Sequence, residues 1–148
     1  METLETPTSG RFAEALAYTA RLHSTQSRKG TQVPYIAHLM AVAALVFEHG
    51  GSEDEAIGGL LHDAAEDQGG HETLEAIRHA FGNEVANIVE ACTDTFEDPR
   101  PVWKPRKEAY VASIATKSPS AVLVSACDKL HNSRSILADL KTDPNVWD

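Results

Sequence analysis

Leu60-Leu61-His62-Asp63-Ala64-Ala65-Glu66-Asp67-Gln68-Gly69-Gly70 is the stretch on which the fold of this chain turns. On a helix, Glu66 stands one turn beyond His62, and Asp67 one turn beyond Asp63. At about 100° per residue these four side chains share one sector. Ile57, Leu60 and Leu61 precede them at helical spacing. Ser52 is a good N-cap, with Glu53, Asp54 and Glu55 facing the positive helix end. The spacing therefore predicts a helix that starts at Ser52, continues through His62-Asp63 and closes by Gly69–Gly70. Three carboxylates and an imidazole on one face repel one another unless a cation joins them. Taken alone, the stretch also fits a solvated helix end carrying ordinary surface acids.

Helical spacing continues outward in both directions. Phe12, Leu16 and Thr19/Ala20 give a first helix from about Gly10 to Ser24, followed by a loop from Thr25 to Val33. Pro34 suits the first turn of a helix that reaches His49 and stops at Gly50–Gly51. Beyond the central stretch, helices are predicted over Glu72 to Phe81, Asn83 to Thr95, Arg106 to Thr116, and from Ser118-Pro119 to Leu140. Phe96 to Pro105 holds three prolines and reads as loop. Strand-period alternation is absent at useful length, so the expected class is all-α, a bundle of about six to seven helices. Residues 1–9 read as a tail and 10–148 as one domain. Trp147 suggests either a further packed element beyond the chain end or a cover for an apolar groove.

Two more residues fit poorly in their surroundings. Asp128 follows Ala121 to Ser125, a nearly apolar helical run, and an aspartate there is rarely buried without a partner or a metal. His38 lies in an equally apolar helix, where a lone histidine is ordinarily a satisfied core residue. Together with His62 and Asp63 they make two imidazoles and two carboxylates from three helices. Such an N2O2 set, with positions left open for water, suits Mn2+, Fe2+ or Zn2+ better than Mg2+.

Composition limits the partners. The 148 residues carry a formal net charge of −9, a surface that repels nucleic acid. Phosphate chemistry on such a protein has to be confined to a cleft where a metal and local cations reverse the field. No apolar run reaches the roughly 18 residues of a membrane span, and the N-terminus lacks the basic and apolar regions of a signal peptide. Cys92 and Cys127 are far apart and read as reduced core residues of a cytoplasmic protein.

The order His38, His62-Asp63, Asp128 resembles the HD-domain metal-dependent phosphohydrolases. More narrowly, the chain resembles the hydrolase domain of the RelA/SpoT homologues and the small alarmone hydrolases. The matching pieces are Arg28-Lys29-Gly30, Pro34 to His38, Leu60 to Asp67, Phe81-Gly82, Arg106 to Tyr110 and Asp128 to Asn132, in the family's order. Leu39 stands where the family often has proline. The resemblance implies hydrolysis of guanosine tetra- and pentaphosphate, with release of pyrophosphate from the 3′ position and Mn2+ as the usual ion. It implies His38, His62, Asp63 and Asp128 as metal ligands, Glu66 and Asp67 as the catalytic acids, and Arg28, Lys29 and Asn132 as nucleotide contacts.

Physical chemistry gives these groups roles of their own. Glu66 can orient a water and take its proton, with Asp67 supporting it. Arg28 can stack on a purine, and Lys29 can meet phosphate as a point charge. Trp103 to Lys107 is the most basic short stretch; Lys104 and Arg106 either meet the pyrophosphate from a lid or start a basic helix anchored by Trp103. His71 and His79 lie where some dinuclear relatives take extra ligands, yet a single ion is the expectation. The competing readings are an HD phosphatase or nucleotidase for another nucleotide, and a non-catalytic metal or nucleotide sensor. The latter has no need of the Glu66–Asp67 pair. A chain of this length leaves no room for a fused nucleotide-synthesising domain.

Overall fold

Buried apolar residues recur at helical spacing from Ala15 to Cys127, and the chain folds accordingly. The computed structural model describes residues 8–146 and holds, over that range, eight α-helices, one 3₁₀ turn and no strand. They are α1 (Gly10–Leu22), α2 (Ile36–Glu48), α3 (Glu53–Leu61), α4 (Ala64–Asp67), α5 (Gly70–Phe81), α6 (Asn83–Cys92), α7 (Trp103–Ser113) and α8 (Pro119–Thr142), with the 3₁₀ turn at Ile114–Thr116. The all-α expectation holds. Trp147 lies outside the described residues. No helix among them is long and apolar enough to cross a membrane.

The central element is α3. Ser52 caps it by accepting from the Glu55 N–H, while the Glu55 side chain accepts from the Ser52 N–H, a reciprocal capping box. Every residue from Ala56 to Leu61 is buried. Gly58 permits this, because a Cβ there would stand 2.7 Å from the Ile88 side chain of α6. One apolar cluster, with Leu60, Leu61, Ile77 and Val89, joins α3 to α5 and α6. A second, with Val42, Val46, Ile88 and Val124, joins α2, α6 and α8. Each such side chain contributes about 1.5–3 kcal/mol relative to leaving it in water. Cys92 and Cys127 are buried and unpaired, and burial pushes both thiols up in pKa.

The predicted helix through His62-Asp63 is corrected: it is broken. α3 stops at Leu61, and the His62 ring Nδ1 donates to the Gly59 carbonyl at 2.7 Å. After Asp63 the chain resumes as the single turn α4. This break accounts for the count of eight against the expected six to seven. Several boundaries also differ by two or three residues, including the ends of α1, α7 and α8 at Leu22, Ser113 and Thr142. α5 begins at Gly70, two residues before Glu72. α6 ends at Cys92, where Thr93 turns extended, rather than at Thr95. α7 begins at Trp103 rather than Arg106, with Pro105 in the first turn, where no backbone N–H is needed. No residue of α7 is buried.

Candidate metal centre and nucleotide cleft

Three helices deliver the buried polar residues to one point. His38 comes from the first turn of α2 and is 1 % exposed; His62 comes from the α3–α4 break; Asp128 comes from the buried half of α8. One ligand atom from each lies within 4.8 Å of the other two. His38 Nε2 is 3.0 Å and His62 Nε2 3.3 Å from Asp128 Oδ1. Asp63 joins from the side, its Oδ2 at 3.1 Å from His62 Nε2 and 3.9 Å from His38 Nε2.

Outer partners fix these groups. The Gly59 carbonyl takes the His62 Nδ1–H, so the neutral ring turns a lone pair on Nε2 toward the two carboxylates. His38 Nδ1 is 2.7 Å from His131 Nδ1, a bond that likewise leaves Nε2 facing inward when His38 is the donor. The Tyr35 hydroxyl donates to Asp63 Oδ2 at 2.5 Å. Asn132 Nδ2 and Lys129 Nζ donate to the two oxygens of Asp128 at 2.9 and 2.7 Å.

The set fits a divalent cation. His62 Nε2 is buried without a hydrogen bond, although two carboxylates lie beside it. A lone pair packed against anions is unfavourable unless a proton or a cation stands between. Titration points the same way. Burial alone lowers an imidazole's pKa, yet Asp63 and Asp128 hold His62 well above its ordinary value. His38 is lowered, chiefly by burial. Against burial, which raises it, the His62 and Tyr35 contacts hold Asp63 at about 2, and both imidazoles hold Asp128 far below the carboxylate range. His71 stacks on Phe96 instead, and the described residues gather one such group rather than two.

The acid pair lies beside the centre, on α4. Asp67 is fully engaged, accepting from Gln26 Nε2 and Arg100 Nη2, both at 2.9 Å. Glu66 is held more loosely: Arg100 and Arg106 stand 3.8 and 3.9 Å from Oε1, and the Asp94 N–H 3.5 Å from Oε2. Burial and the nearby Asp63 raise the Glu66 pKa, against Arg100, which lowers it. Both acids line a small polar cleft of about 210 Å³ over the centre. Tyr35, Lys107 and Asn132 line this cleft and also a larger one of about 740 Å³, to which Arg28, Lys29 and Trp103 contribute. Arg28 donates to Asn132 Oδ1 at 3.2 Å, so the two clefts are tied together through Asn132 and Asp128.

Residues 15–146 match the profile of the HD domain. The chain belongs to the HD domain family. Among relatives of this HD domain, the guanosine-3′,5′-bis(diphosphate) 3′-pyrophosphohydrolase of Xenopus tropicalis is 38% identical over 90% of this chain and 72% of its own length. The Homo sapiens enzyme of the same name is 34% identical over 86% of this chain and 70% of its own. A solved structure described as a metazoan SpoT orthologue that hydrolyses ppGpp is 29% identical, with a TM-score of 0.80 over 90% of this chain and 74% of that one.

Not every basic residue singled out in the sequence reaches the HD centre. Lys104 is 78% exposed and faces Glu108 at 3.9 Å, away from both clefts. Arg106 pairs with Asp94 and Glu66, so it meets the acid pair from behind and does not line the larger cleft. Lys107 takes the place expected of Lys104: one turn of α7 turns it toward both clefts, with Nζ 2.6 Å from Asp94. Sequence reasoning missed Tyr35, Asp94, Arg100 and Lys129, and gave His131 only a structural role. Tyr35 and Lys129 stand inside recognised motifs, next to predicted ligands, where an outer partner is to be sought. Arg100 and Asp94 sit in or beside an irregular loop, where no spacing signals them.

Proposed function

We propose that this HD domain hydrolyses guanosine 3′,5′-bis(diphosphate) and its pentaphosphate to GDP or GTP plus pyrophosphate, using Mn2+ held by His38, His62, Asp63 and Asp128. Fe2+ and Zn2+ are the alternative ions for this donor set. The observation that carries the reading is the junction of the two clefts. A buried centre fit for a cation opens, past Asn132 and Lys107, into a cleft flanked by Arg28 and Lys29. That arrangement seats a nucleotide's phosphates beside an acid pair inside a protein whose net charge is −9. A site of action in the cytoplasm fits the buried, unpaired cysteines.

A bound divalent ion supplies Lewis acidity and lowers the pKa of a coordinated water. The chain's own residues do the rest. Glu66 accepts the proton of the attacking water. As the water oxygen bonds to phosphorus, the bond from phosphorus to the 3′ oxygen breaks, and that oxygen takes up the proton Glu66 accepted, which returns the base to its ionised form. Asp67, held by Arg100 and Gln26, keeps α4 in place and fixes the field around Glu66. Arg28, Lys29 and Lys107 hold the phosphates, and Asn132 spans from Arg28 to Asp128.

A panel of nucleotides offered with Mn2+, with products separated by chromatography, tests this directly. The expected products from the tetraphosphate are GDP and pyrophosphate, with poor action on GTP and on nucleoside monophosphates. Release of inorganic phosphate from monophosphates, with the tetraphosphate left intact, would move the assignment to an HD nucleotidase.

Acidity gives an independent check on Glu66. A base must be ionised, so activity falls as pH drops through its pKa, which burial and Asp63 have raised. Arg100 opposes that rise. Arg100→Met should therefore move the acid limb of the kcat profile to higher pH. An unmoved limb, or one shifted to lower pH, removes Glu66 as the titrating base.

A further inference from the structure

One carboxylate lines the larger cleft, and it stands where a polyphosphate pocket has no evident use for an acid. Asp139 lies there with Arg28, Lys29 and Lys107. The neighbouring carboxylates of the site hold cations, Asp67 with Arg100 and Asp94 with Lys107, whereas Asp139 pairs with none among the described residues. A free negative charge in a cleft for an anion weakens binding, unless the part of the ligand that reaches it carries donors.

The geometry of α8 says which part that is. The helix runs unbroken from Pro119 to Thr142. Asp139 follows Asp128 by three turns, so the two carboxylates point almost the same way, about 20° apart and about 16 Å apart along the axis. Asn132 and Ser135 fall on the same face between them, and both line the cleft. One helix face thus works as a ruler, from Asp128 in the candidate metal centre, past Asn132 and Ser135, to Asp139 at the far end of the cleft.

The geometry points to Asp139 as the residue that selects guanine, accepting the N1–H and the 2-amino group with its two oxygens. This rests on the proposed nucleotide hydrolysis and deepens it to a base preference. Guanine offers two adjacent donors on its pairing edge, which a carboxylate accepts side by side. Adenine offers one donor next to a lone pair at N1, and a carboxylate meets that lone pair unfavourably. Asp139 is only half-buried and on a helix surface, so its substitution leaves the core intact.

Kinetics of the wild type and Asp139→Asn with the guanosine and the adenosine 3′,5′-bis(diphosphates), both with Mn2+, decide the matter. The ratio of kcat/KM for guanosine over adenosine should fall at least about tenfold in Asp139→Asn, because an acceptor pair matched to one pairing edge is left unmatched against the other. Most of the loss on guanosine should lie in KM, as the base contact is made before and during reaction alike. An amide side chain, able to donate to adenine N1, should also favour the adenosine compound more than Asp139→Ala does. An unchanged ratio, or equal losses on both substrates, overturns the assignment. If the wild type hydrolyses neither compound, the hydrolysis reading fails by itself. Calorimetric binding of GDP against ADP to both proteins then decides the base preference, and equal affinities for the two in the wild type overturn it.

Discussion

His62→Ala is expected to lower the manganese content of the loaded protein from about one ion per chain to near none, and activity with it. Of the four ligand-type residues, His62 has the least freedom. It sits at the break between α3 and α4, its Nδ1 is committed to Gly59, and its Nε2 has no hydrogen bond. Loss of an outer partner of a metal ligand typically costs about 10–100-fold in affinity, so loss of the ligand itself should exceed that range. Elemental analysis after Mn2+ loading and gel filtration reads the ion directly, and far-ultraviolet circular dichroism shows whether the fold survives. His62→Ala that keeps its helices and a full complement of manganese would remove this residue from the centre.

Glu66→Gln should lower kcat by at least about 10²-fold, the usual scale for losing a general base, while manganese content stays near that of the wild type. The split between the two readouts carries the argument. Glu66 lies over the centre, but its carboxylate faces Arg100 and Arg106, whereas Asp63 faces both histidines, so the amide of Glu66→Gln should not expel the ion. Loss of metal and activity together would make Glu66 a ligand. Near-normal turnover would leave Asp67 as the base, against its double engagement with Gln26 and Arg100.

Much of this was legible in the residues because apolar spacing and misplaced polar groups are local signals. His38, His62 and Asp128 stood out as polar side chains inside apolar helical runs, and the fold brings those three together. The break at His62 was not legible, because it accompanies a bond between the ring and the Gly59 carbonyl, which leaves no trace in the periodicity of Ile57, Leu60 and Leu61. The early start of α7 was hidden by Pro105, which reads as a breaker until its place in the first turn is known. Arg100 and Asp94 were out of reach for a third reason. Ion pairs across a loop depend on how the loop is laid over α4, and no sequence interval fixes that.

The spread of the three convergent residues along the chain has a consequence for folding. His38, His62 and Asp128 are 24 and 66 positions apart. An ion gripped by all three is a staple that closes two large rings in the polymer, and rings of that size are the ones whose closure is most unlikely in the unfolded chain. Chelation should therefore loosen α2 and α8 from each other as well as silence the enzyme. Manganese at about a hundred times its dissociation constant should add about 2.7 kcal/mol to the free energy of unfolding.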